Sequence, residues 1–282
     1  MTKKSKMKFY PSAMTIAGSD SGGGAGIAAD LRTFNAFGVF GTCAITAVTS
    51  QNPATVRRID SLPGAAAAAQ IETILEKIPV KHCKTGMLFS AEIIDAVFSA
   101  IKDHHLKLVC DPVMISTSGK KLLQDEAVAM LIDRLKDSAS WITPNIPEAQ
   151  LLGDCRITGI KDMLRCAAKL HETFSASIFL KGGHLSGNSS TDVIARDGRL
   201  YTLTSPLLDV PQFASHGTGC TLSAALTAMC ALDLPWKQAV CESKAFVYGS
   251  LSQCVTLGAG ITAMYPPTED SIQLIKLDEA EL

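Results

Sequence analysis

His216-Gly217-Thr218-Gly219-Cys220 runs into a stretch containing Ala224, Ala225 and Ala228, the pattern of a glycine turn opening a small-residue helix to about Ala231. Two glycines let a backbone approach a ligand closely, and the unpaired N–H groups and dipole of a first helical turn favour an anion. In phosphoryl transfer, such donors stabilise the charge that develops on the moving γ-phosphoryl group. Cys220 falls in that first turn, where the helix field lowers a thiol pKa and lets it accept a proton, and His216 is a nearby alternative base. A glycine turn entering a tightly packed helix explains the same residues without a ligand.

Other polar residues stand just beyond apolar runs. Asp111 follows Leu106–Cys110, Asn145 and Glu148 follow Trp141-Ile142-Thr143, and Lys181-Gly182-Gly183 follows Ser177–Leu180. In open α/β sheets, ligands gather beyond the carboxyl ends of strands. Asp111 and Glu148 offer oxygen to a hydrated magnesium ion, and Lys181 offers charge to a phosphate. Asn145-x-x-Glu148 with Pro147 is equally an ordinary helix start. A fourth such place, Gly18 to Gly26, is glycine-rich, but no G-x-G-x-x-G fits residues 18–30 and no Asp or Glu lies between Asp30 and Asp60. A dinucleotide fingerprint is therefore unsupported, and no G-x-x-x-x-G-K-[ST] is present.

The elements that must position these residues alternate. Ala13–Ala17 predicts a strand, and Ile27, Leu31 and Phe34 a helix. Cys43–Ser50 predicts a second strand, and Ile71, Ile74, Leu75 and Ile78 share one helical face that ends at Pro79. Ser90 caps a helix through Ile94, Val97 and Ile101, and further helices carry Val128, Leu131 and Leu135, then Met163, Leu164 and Ala167. Asp197-Gly198 joins two strand-like runs in a hairpin expected at a sheet edge. The pattern predicts a mostly parallel central sheet with helices on both faces.

Residues 1–12 read as a basic flexible tail and 13–282 as a single domain. With 26 basic and 27 acidic residues, nothing points to nucleic acid or to a membrane surface as partner. No uncharged apolar run approaches the roughly 20 residues of a membrane span, so a soluble protein is expected. Nine cysteines without a C-x-x-C pair suit reduced thiols in a cytoplasm.

Taken in order, AMTIAGSDSGGGAGIAADLRTF, TAVTSQN, KTGML, CDPVM, SGKKLL, ITPNIPEA, LKGGH and HGTGCTLSAAL resemble the ribokinase superfamily. Within it, they are most similar to the bacterial hydroxymethylpyrimidine/phosphomethylpyrimidine kinases of thiamine biosynthesis, over about residues 13–255. The resemblance implies a ribokinase-like α/β fold, usually homodimeric, and a cytoplasmic enzyme. It also implies ATP- and Mg2+-dependent phosphorylation of 4-amino-5-hydroxymethyl-2-methylpyrimidine and of its monophosphate. Asp30 and Gln51 would then hydrogen-bond the pyrimidine and its hydroxymethyl group, with Gly18, Met87 and Val113 shaping the ring pocket. Asp111, Asn145 and Glu148 would serve Mg-ATP, Lys181 its phosphates, and Gly217, Thr218, Gly219 and Cys220 the anion cradle. Cys220 stands where the wider superfamily carries an aspartate base. Residues 243–250 are expected near adenine. A pyridoxal or pyridoxine kinase is the nearest alternative, and Gln51 argues against it because related pyridoxal kinases can carry an apolar residue there. Outside catalysis, the alternative is an idle pyrimidine-binding sensor.

Overall fold

The computed structural model describes residues 9–114, 122–136, 138–183, 189–211 and 213–282. Most of the SGKKLL segment and His184 of LKGGH lie outside the described residues, as do residues 1–8 of the tail. The first half contains β1 (Ser12–Ala17), α1 (Gly26–Ala36), β2 (Phe40–Ile45), β3 (Ala47–Asn52), β4 (Thr55–Ser61), α2 (Gly64–Leu75), β5 (His82–Thr85), α3 (Ala91–Asp103), β6 (Lys107–Cys110) and α4 (Asp125–Leu135). It continues with β7 (Ala139–Ile142), α5 (Ile146–Gly153), α6 (Ile160–Phe174), β8 (Ser177–Leu180), β9 (Ser189–Arg196) and β10 (Arg199–Pro206). The last part holds α7 (Thr218–Ala231), α8 (Trp236–Ser252), β11 (Val255–Gly258), β12 (Ile261–Ala263) and β13 (Lys276–Ala280).

Nine strands form the main sheet in the order β13-β10-β9-β8-β7-β6-β5-β1-β2. Neighbours from β2 to β8 are parallel, and β9, β10 and β13 are added antiparallel. Side chains alternate across this sheet, as a period of two requires. Met14, Ile16, Leu108, Cys110, Ile178, Leu180, Val193 and Ala195 join one core with α2 to α6. Ala13, Val109, Trp141, Phe179, Ile194 and Leu203 join the other with α1, α7 and α8. The strand order reverses between β5 and β1, which makes the carboxyl ends of those two strands the natural mouth of a ligand crevice.

Several expectations need correction. Cys43–Ser50 is two strands: β2 ends at Ile45, and β3 pairs with β4 as a separate two-stranded flap. The flap turn is made by Asn52, whose Oδ1 accepts from Ala54 N and Thr55 N at 2.9 and 3.1 Å, a side-chain turn signal present in the sequence. The Asp197-Gly198 hairpin is not the sheet edge, because β13 covers β10. The tail ends earlier than residue 12: Ser12 opens β1, and the Pro11 carbonyl accepts from Phe40 N. Buried β5 lacks an apolar run, which hides it from a hydrophobic pattern.

A buried ion pair ties α8 to the sheet. Lys244 Nζ of α8 contacts Asp192 Oδ2 of β9 at 2.6 Å, and Asp192 Oδ1 accepts from Gly182 N at 2.8 Å. A Cβ on Gly182 would collide with the Thr191 carbonyl, so the turn after β8 requires glycine. Removing one partner of a buried pair leaves an uncompensated charge. Lys244→Met is expected to lower unfolding free energy by about 3 kcal/mol in urea denaturation at neutral pH.

Candidate functional site

The loop after β1 is organised by a residue the sequence reading did not single out. Asp20 accepts from the backbone N of Gly22, Gly24 and Ala25 at 2.8, 3.1 and 2.8 Å, and contacts His216 Nε2 at 2.9 Å. Burial opposes its charge, but the hydrogen bonds from His216, Gln51 and Gly22 outweigh that and hold its pKa below the ordinary carboxylate value. The same contact brings His216 and the turn before α7 against the first loop. A Cβ on Gly24 would lie 2.6 Å from His216 Cδ2, and one on Gly217, whose φ is +86°, would collide with the Gly24 carbonyl. His216 is thus a clasp between two loops, with its Nε2 committed to Asp20.

Beyond the clasp, α7 opens toward the carboxyl edge of the sheet. A Cβ on Gly219 would stand 3.2 Å from Lys181 Nζ and 3.7 Å from Asp111 Oδ2, so only glycine leaves this space open. Lys181 Nζ contacts Asp111 Oδ1 at 2.9 Å, and Ser223 Oγ donates to Asp111 Oδ2 at 3.3 Å. Lys181 itself bridges to Asn145 beside it, its N donating to the Pro144 carbonyl at 2.8 Å. Asn145 and Glu148 form a full capping box on α5: Asn145 Oδ1 accepts from Glu148 N, and Glu148 Oε2 accepts from Asn145 N. Both residues therefore build the helix start, and Glu148 remains within electrostatic range of Lys181 and Asp111. Burial pushes the Glu148 carboxyl up to about 7, Lys181 opposing it and Asp111 adding to it. Among the described residues no three His, Cys, Asp or Glu side chains cluster as a metal cage. Asp111 and Glu148 fit the other way of holding magnesium, in which two carboxylates are completed by water and phosphate oxygens.

Gly18, Met87 and Val113, expected to shape the ring pocket, come together near the strand reversal. Gly18 lies against Met87, since a Cβ there would collide with the Met87 methyl. Met87, Ala47 and Leu122 form a small apolar cluster with Ile59 and Val113. Gln51 stands on the flap rather than in this cluster. It follows a register shift after Ser50, exchanges backbone contacts with Ser21 Oγ at 2.8 Å, and lines a surface cavity with Ser21, Ser50, Asn52, Thr55 and Arg57.

Asp30, expected to hydrogen-bond the pyrimidine, is fully buried. Its side chain and that of Lys84 have no exposed surface: Lys84 Nζ contacts both Asp30 oxygens at 2.9 and 3.0 Å, and Thr15 Oγ1 donates to Oδ2 at 2.6 Å. The carboxylate is sealed from solvent with its oxygens held by protein groups. Burial disfavours the Lys84 ammonium, but Asp30 outweighs this and raises its pKa, so Lys84 stays charged. Lys84 escaped the sequence reading because one lysine in His82-Cys83-Lys84-Thr85 carries no pattern of its own.

Cys220 also behaves differently. The expected lowering by the helix field is outweighed: desolvation, with Asp30 and Asp111 nearby, pushes the thiol up to about 11 despite Lys84 and the Gly26 amide hydrogen bond. At neutral pH it is a thiol and not a ready base. Of residues 243–250, expected near adenine, 243–246 are buried, with Lys244 committed to Asp192 and Phe246 packed on Phe37 at 4.7 Å between ring centroids.

Residues 20–265 match the phosphomethylpyrimidine kinase family. A hydroxymethylpyrimidine/phosphomethylpyrimidine kinase of Haemophilus influenzae is 44% identical over 253 residues, covering 88% of this chain and 93% of its own. A pyridoxal kinase of Staphylococcus aureus in complex with ADP superposes with a TM-score of 0.87 at 29% identity, covering 97% of this chain and 100% of its own. The phosphomethylpyrimidine kinase of Clostridium difficile superposes with a TM-score of 0.74 at 39% identity, covering 84% and 97%. The fold is ribokinase-like, and by both sequence and structure the chain belongs to the phosphomethylpyrimidine kinase family.

Proposed function

We propose that this protein transfers the γ-phosphoryl group of ATP to the hydroxymethyl group of 4-amino-5-hydroxymethyl-2-methylpyrimidine, and then phosphorylates the resulting monophosphate, in thiamine biosynthesis. The observation that carries the reading is the open Gly219 backbone facing Lys181 and Asp111, with Gly18, Met87 and Val113 packed together near the β1–β5 reversal. The amides of Gly217, Thr218, Gly219 and Cys220 receive charge developing on the transferred group, and Lys181 neutralises the phosphates. Magnesium would be held by Asp111 and Glu148 and would supply positive charge to the phosphates. Gly18, Met87 and Val113 face the ring, Asp30 supports the pocket floor, and Gln51 on the flap reads the ring's polar edge. Because a loose transfer needs little activation of the nucleophile, Cys220 orients the alcohol and contributes its backbone N–H, and does not abstract the proton.

A homodimer in the cytoplasm completes the reading. Nine free thiols suit a reducing compartment, and homodimers are usual among the kinases that the sequence resembles. A pyridoxal kinase is favoured by the Staphylococcus aureus likeness, whereas the amide of Gln51 and the higher identity to the pyrimidine kinases favour the pyrimidine. An idle sensor would have no use for the Lys181–Asp111 contact beside Gly219.

The purified protein with ATP and magnesium is expected to release ADP with the pyrimidine alcohol far faster than with pyridoxal. Gln51→Met should selectively weaken the pyrimidine reaction, and equal loss with both alcohols would contradict the assignment. Lys181→Met should lower kcat by about 100-fold or more, with little change in KM for the pyrimidine. Since the Cys220 thiol stays protonated up to about 11, Cys220→Ser should keep most of kcat and leave its pH profile between roughly pH 6 and 9 unmoved. A basic limb that vanishes in the variant would restore the thiolate mechanism.

A further inference from the structure

The least expected group near the pocket is Lys84, a lysine with no exposed surface. Its position is set by the sheet: Thr15 of β1 and Lys84 of β5 are register partners at the point where the strand order reverses. Cys83 belongs to the core of the α2–α6 face, so by alternation Lys84 faces the other layer, toward α1 and α7. There Asp30 of α1 takes two of its N–H groups, and Thr15 closes the third side of the carboxylate. Cys220 and Asp111 lie within electrostatic reach of the ammonium. Gly86 leaves room beside it, with a Cβ there standing 3.6 Å from Nζ.

Such a pair is a poor way to gain stability. Two charges lose their hydration, and apolar residues of similar shape in the same place are often neutral or more stable. What the pair does provide is a fixed place for α1. The helix begins at Gly26, where Ile27 N donates to the Gly18 carbonyl at 3.1 Å and the Gly26 amide faces the Cys220 thiol. Asp30 is one turn further along, so its anchoring sets the distance between the ring pocket at Gly18 and Met87 and the cradle at Cys220. Lys84 also balances Asp30 in a site that already holds Asp111 and Glu148 and must admit a triphosphate.

The geometry points to Lys84 as a positioning residue for the acceptor alcohol: anchored between β1 and α1, it holds Asp30 and the start of α1 where the ring pocket meets the phosphoryl cradle. This rests on the kinase reading above. It is tested with the charge-free pair Asp30→Asn with Lys84→Met, in which thermal unfolding and steady-state kinetics are measured for both substrates. The midpoint should stay within a few degrees of the parent, while kcat/KM for the pyrimidine alcohol falls about 100-fold, as expected when a reacting group is misplaced by the order of 1 Å. KM for ATP should change by no more than about twofold, a split that a purely structural pair would not produce. A folded double variant with pyrimidine kinetics within about threefold of the parent overturns the inference. Should the double variant not fold, Thr15→Val decides: it keeps the ion pair, removes one hydrogen bond to Asp30, and should raise KM for the pyrimidine about fivefold with KM for ATP unmoved. An unchanged pyrimidine KM in Thr15→Val overturns it as well. A parent protein inactive on every ring alcohol would instead remove the kinase reading, and this inference with it.

Discussion

The site depends on one close approach of two backbones. Gly217 lies on the carbonyl of Gly24 so tightly that no side chain fits between them, and His216 locks the contact by bonding Asp20. Because of this approach, the first turn of α7 and the loop after β1 share one cleft although nearly two hundred residues separate them. The rest follows from the sheet. The parallel strands end on one side, β5 and β1 reverse the order there, and the donors of α7 face the residues that those ends deliver.

The charges in this cleft are arranged as nested pairs. Lys181 meets Asp111 at the cradle, Lys84 meets Asp30 beneath the pocket, and Lys244 meets Asp192 behind the glycine turn that carries Lys181. Each pair joins two different elements, so each fixes a distance as well as a charge. The outermost pair is the one a nucleotide phosphate would contact, since Lys181 alone of the three lysines lies beside the open face of Gly219. The inner two are buried away from solvent.

The alternating strands and helices were legible because apolar side chains repeat with periods of two and 3.6, and the glycines of the cradle announced themselves by composition. The capping box at Asn145 and Glu148 was visible at its short spacing. What could not be read were contacts between distant residues. Lys84 and Asp30 are 54 positions apart, Lys244 and Asp192 are 52, and His216 and Asp20 are 196. β5 was hidden for a related reason, because the burial of Lys84 is satisfied by an ion pair where an apolar run would be expected. The direction of the Cys220 shift was misread because a helix terminus is local, whereas the desolvation and carboxylates that outweigh it arrive from elsewhere in the chain.

That last shift has a chemical corollary. Peroxides and electrophiles attack thiolates, and a sulfur that remains protonated is a sluggish target for oxidation or alkylation. Placing cysteine at the mouth of a helix would ordinarily create a vulnerable spot. Here the surrounding protein quiets it, so a soft, compact atom can occupy the heart of the cleft without becoming its weakest point.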